Sequence, residues 1–152
     1  MFRSQFLAGD RSFSDTARAE AQTRLAALEA HASDVSQAYF ELELARIVAL
    51  ADNGHTVYFP GPRSRRYNRV EIRLAPFGDQ CFVLRAKVGD ADLLGARLVA
   101  IEGRSVEEFR DAARTLVGGT AAWRDRFGAY FIESPEQMHA LGMLATADAA
   151  TY

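Results

Sequence analysis

The sequence predicts an α+β fold: an N-terminal helical hairpin, a β-rich unit in the middle, and C-terminal helices packed on that unit. Three observations carry the prediction. Apolar residues recur every three or four positions from Ser14 to Ala51, and the spacing changes to every second position after Gly54. Serines at 105 and 134 then reopen helical segments. The matching boundaries are residues 1–55, 56–119 and 120–152.

In the first segment Ala17, Ala21, Leu25, Leu28 and Ala32 form one apolar stripe. The pattern breaks at Ser33-Asp34, and Asp34 with Gln37 makes a capping box for a second helix. That helix is apolar on more than one face (Tyr39, Phe40, Leu42, Leu44, Ile47, Val48), which places it between the first helix and a second layer. Its expected stop is Asn53-Gly54, where glycine takes the left-handed conformation.

Thr56 to Phe59 reads as a short strand halted by Pro60-Gly61-Pro62, followed by a basic loop from Arg63 to Asn68. Val70, Ile72 and Leu74 alternate with charged residues, as in a half-buried strand. A turn over Pro76–Gln80, a strand over Cys81–Leu84, a turn at Gly89-Asp90 and a strand over Leu98–Ile101 follow. Ser105 and Glu108 make a capping box for a helix to Val117, closed by Gly118-Gly119. Trp123, Phe127 and Tyr130 or Phe131 share a helical face, and Ser134-Pro135 opens a last helix to Leu144.

Composition narrows the function classes. At 152 residues the chain makes one domain or two very small ones. A net charge of −2 supplies no basic field for nucleic acid or a membrane surface. Arg63, Arg65, Arg66, Arg69 and Arg73 with Tyr67 are explained more simply by a solvated loop and strand face than by a nucleic-acid patch. The single cysteine, Cys81, excludes an internal disulfide and a cysteine-based zinc cluster. Lys87 is the only lysine, so candidates for a catalytic amine are almost absent. His31 and His139 lack partners at metal-ligand spacing, and neither a metal nor a cofactor is expected. No apolar run approaches the roughly 18–20 residues of a membrane span. Met1–Asp10 has no apolar leader region, and the compartment stays open, an exported chain with its signal peptide removed included.

The segment from Leu93 to Phe109, with Gly95, Leu98, Ile101, Gly103 and Val106, and with Leu116 closing the helix, resembles the middle of a PDZ domain. A helical hairpin that ends in Asp52-Asn-Gly-His-Thr56 just before such a unit is similar to the N-terminal part of S41-family serine peptidases, the C-terminal processing and tricorn-like enzymes. The resemblance implies that His55 is a catalytic base reaching a serine on a following α/β peptidase core domain, which these 152 residues do not contain. It also implies a polypeptide substrate, or a peptide C-terminus, held at the PDZ-like loop made by Gly78, Asp79, Gln80, Cys81 and Phe82. That loop departs from the family pattern at Gln80, where a second glycine is expected.

Each residue has a plainer reading. His55 is either a general base, oriented by Asp52 or Thr56, or part of a helix stop whose ring bonds a nearby carbonyl. The loop is either a carboxylate cradle or a hairpin turn, and Cys81 is a buried small side chain rather than a nucleophile. Two functions follow: the non-catalytic front end of an S41-like serine peptidase, or a stand-alone PDZ-like interaction module. Alone, this chain is expected not to hydrolyse peptides.

Overall fold

The computed structural model describes residues 10–58 and 67–152. Phe59, the Pro60-Gly61-Pro62 stop and Arg63–Arg66 of the expected basic loop lie outside the described residues, as do residues 1–9.

The fold is α+β. Helix α1 (Asp15–Ala30) starts where Ser14 Oγ accepts the Ala17 N–H at 3.2 Å. Helix α2 (Gln37–Ala49) is capped by Ser36, whose Oγ accepts the Tyr39 N–H at 3.1 Å. Asp34 is therefore not the cap, and Gln37 is the first helical residue, with its amide bonded to Glu41. Phe13, Ala21 and Leu28 pack on Ile47 and Ala51, while Leu42 and Ala45 on α2 enter the main core. The two-faced apolar pattern of α2 thus has its cause: α1 covers one side and the rest of the chain the other.

Helix α2 stops earlier than Gly54. Its last turn tightens through the Ala51 N–H to Val48 and Asp52 N–H to Ala49 bonds, and Asp52 takes the left-handed conformation at φ 50°. Aspartate is among the few side chains that tolerate this region. Thr56–Tyr58 are not in a strand.

Strands β1 (Ile72–Phe77), β2 (Gln80–Ala86) and β3 (Arg97–Leu98) form an antiparallel sheet in the order β1-β2-β3. The strand pattern read from Val70 begins later and runs on through Pro76, which an edge strand tolerates because no neighbour needs its missing N–H. The expected Pro76–Gln80 turn shrinks to Gly78-Asp79, with Phe77 paired to Gln80. After a 3-10 turn (Val88–Leu93), the expected Leu98–Ile101 strand is split into β3 and β4 (Ala100–Ile101) at the exposed Val99. β4 pairs with β5 (Arg104–Ser105) across Glu102-Gly103, both at positive φ as a tight two-residue turn requires.

Helices α3 (Val106–Arg114), α4 (Ala121–Ile132) and α5 (Pro135–Ala140) close the unit. Ser105 caps α3 through the Glu107 N–H, but Glu108 turns to Arg104, so no reciprocal capping box forms. Ser134 and Pro135 open α5 as expected, although it ends at Ala140. Between the inner sheet face and the helices lie Leu74, Cys81, Val83 and Leu98 with Phe109, Phe131, Ile132 and Met138. Each such large side chain contributes about 2 kcal/mol by leaving water. The C-terminal tail is fastened as well: Tyr152 Oη donates to Ile132 O at 2.6 Å, and Thr151 and Glu102 exchange bonds.

Candidate functional site

The segment after α2 meets the turn before α4, and Asp52 joins them. Its Oδ1 accepts the Gly119 N–H at 3.0 Å and Arg124 Nη2 at 2.5 Å, while Arg124 Nε donates to Gly119 O at 2.9 Å. The Gly119 N–H, then Arg124, hold the Asp52 carboxyl below the usual aspartate range. Only glycine fits at 119: φ is +99°, and a Cβ there would lie 2.9 Å from the Gly54 nitrogen.

Gly54 has a different reason for being glycine from the helix stop expected of it. A Cβ on Gly54 would come within 3.0 Å of Trp123 Nε1 and 3.1 Å of two further indole atoms. The absent side chain is what lets the indole lie on the backbone. The same indole stacks on the next residue, His55, with ring centroids 5.7 Å apart and 28° between planes. Behind it Trp123 packs on Phe127 at 4.4 Å, and Phe127 on Tyr130 at 6.0 Å.

His55 is exposed, and its backbone N–H donates to Asn53 Oδ1 at 2.9 Å. Among the described residues neither ring nitrogen is hydrogen-bonded. The reading in which the ring bonds a carbonyl at the helix end is thereby corrected, and so is orientation by Asp52, whose Oδ1 serves Gly119 and Arg124. The imidazole borders an open cleft of about 690 Å³ that Ser12, Asn53, Gly119 and Thr120 also line. Trp123 Nε1 is buried there without a hydrogen-bond partner.

The second predicted site looks different. Gly78 and Asp79 form the β1–β2 turn, and Gln80, Cys81 and Phe82 are strand residues of β2. The buried Arg110 guanidinium donates to Asp79 O at 2.5 Å and Gly78 O at 2.9 Å, so the two turn carbonyls point at α3. Cys81 faces the core, and burial pushes its thiol up to about 11. The loop is thus a hairpin turn whose two carbonyls are held by α3. Phe77 and Phe82 lie on the outer sheet face, rings 6.1 Å apart.

The arginines read as a solvated face are partly internal. Glu133, 1 % exposed, accepts from Leu74 N–H at 2.9 Å, Arg73 at 2.6 Å and Arg69 at 3.2 Å. Burial pushes this carboxyl up, against the pull of those three donors. Tyr67 is buried too, donating to Glu41 at 2.7 Å. Lys87 is exposed and paired with Glu71 and Asp90, a poor setting for a catalytic amine. His139 Nδ1 lies 2.9 Å from Leu144 O, and His31 sits by Asp34. Among the described residues no three His, Cys, Asp or Glu side chains gather as a metal site, and no helix is long and apolar enough to cross a membrane.

Sequence reasoning singled out His55, gave Trp123 and Gly119 only a packing and a helix-stop role, and did not name Arg124; the three meet at its loop. They lie more than sixty positions along the chain, so no local spacing links them to it. Comparison with known proteins adds no relative: no protein-family model, no curated protein and no solved structure matches the chain.

Proposed function

We propose that this chain is the N-terminal region of an S41-like serine peptidase, which positions a polypeptide substrate and supplies His55 as general base to a serine on a peptidase core domain. The observation that supports this reading is the exposed imidazole with both ring nitrogens unbonded among the described residues, on a junction fastened by Asp52, Gly119 and Arg124. A base that works on a group from another domain needs an open face and a fixed mount.

The test is the polypeptide encoded by the complete reading frame. It is expected to hydrolyse an unfolded protein and to be silenced by a fluorophosphonate, while residues 1–152 alone do neither. A reading frame with no nucleophilic serine outside this chain, or peptidase activity in residues 1–152 alone, contradicts the proposal.

A second reading, a stand-alone PDZ-like interaction module, is favoured by one observation. Phe77, Leu84 and Val99, on and beside the outer sheet face, are 64 %, 50 % and 58 % exposed. Peptide titration followed by amide resonances separates the two, because only the module requires peptide binding without the proposed core domain.

A further inference from the structure

We propose that Trp123 is the positioning residue of His55, with Gly54 as the seat that admits its indole. The inference deepens the reading of His55 as a base and rests on it. In a serine-type triad a carboxylate fixes the imidazole through one ring nitrogen. At this junction the nearest carboxylate in sequence, Asp52, serves Gly119 and Arg124 instead. The backbone N–H of His55 is held by Asn53, but that bond leaves the side-chain torsions free.

What remains to fix the ring is its face. The indole lies against it at 5.7 Å and 28°, and is itself held by Phe127 at 4.4 Å and by the Gly54 backbone. Trp123 enters the fold on the first turn of α4, where its N–H is also the donor to the Thr120 cap. A ring on such a mount removes rotamers from its neighbour without occupying either nitrogen. Orientation through the face leaves Nδ1 and Nε2 both open to groups brought by substrate and serine. The one-residue step from Gly54 to His55 follows from this: the first residue must be small for the indole to reach the second.

The experiment is nuclear magnetic resonance of the chain as it stands, reading the His55 ring protons and side-chain couplings. In the unsubstituted protein we expect His55 resonances shifted by the indole ring current and couplings of a single rotamer. Trp123→Ala should remove the shift and average the couplings, with His31 and His139 unchanged as internal controls. Gly54→Ala, which keeps both rings but sets a Cβ 3.0–3.1 Å from three indole atoms, should displace the indole and change the His55 ring-current shift. Trp123→Phe should preserve the single rotamer, which a purely space-filling role for tryptophan elsewhere in the core would not require. Should Trp123→Ala fail to fold, Gly54→Ala and Trp123→Phe decide. Rotamer averaging in the unsubstituted protein, an unchanged single rotamer in folded Trp123→Ala, or an unchanged His55 ring-current shift in folded Gly54→Ala overturns the proposal. Neither result touches the base reading, which fails or stands on hydrolysis by the longer polypeptide.

Discussion

The His55 junction and the Gly78–Phe82 hairpin are both turns next to glycines, and they differ in what their polar groups are doing. At the hairpin, Arg110 takes the two turn carbonyls and strand pairing takes the residues that follow. At the junction, backbone and carboxylate are equally well fastened, yet the imidazole at its tip has no hydrogen bond among the described residues. A turn whose carbonyls are held by a buried guanidinium is fastened to the scaffold. A turn that is rigid in its backbone and open in one titratable side chain can do chemistry.

The comparison can be broken from either side. The largest effect belongs to the hairpin. Arg110→Ala leaves the two turn carbonyls without their donor and leaves Glu107 and Asp125 to Arg114 alone. Urea unfolding should show a loss of about 3 kcal/mol, with the His55 resonances unmoved in the folded protein. A neutral effect would mean the hairpin is not held as described.

Next comes the junction. Gly119→Ala forces a side chain into a left-handed conformation and against the Gly54 nitrogen. We expect a loss of about 2 kcal/mol together with disturbed His55 resonances, the opposite pattern to Arg110→Ala. The smallest effect is that of Asp52→Asn, below about 1 kcal/mol because the pair with Arg124 is exposed. Its sign with pH is definite. A carboxyl held below its ordinary value of 3.8 adds stability above that value and loses it as the pH falls through the lower folded value. The difference between Asp52→Asn and the unsubstituted protein should therefore be present at neutral pH and vanish in acid.

Local chemistry made much of the fold legible. Ser105 and Ser134-Pro135 cap helices where the sequence predicts it, the helical pattern from Ser14 does open a helix, and the doubly apolar α2 is covered on two sides. Errors arose where two residues could do one job. Ser36 outcompeted Asp34 as a cap, and Asp52 outcompeted Gly54 as a helix stop. Gly54 is glycine because of an indole 69 residues away in the chain. Pro76 read as a turn because sequence does not say which strand will be an edge. Glu133 was not singled out, since only the folded chain brings Arg69, Arg73 and the Leu74 N–H to it. His55 was visible because a histidine after a helix stop is conspicuous, whereas its mount is a long-range contact.

The most direct test of His55 as a base is the acylation rate of the complete reading-frame polypeptide by an activated ester, with and without His55→Gln. We expect the substitution to slow acylation about a thousandfold or more, with the fold and ester binding unchanged. Equal acylation rates would contradict a catalytic role for His55 and leave it as a solvent-facing residue at a well-built turn.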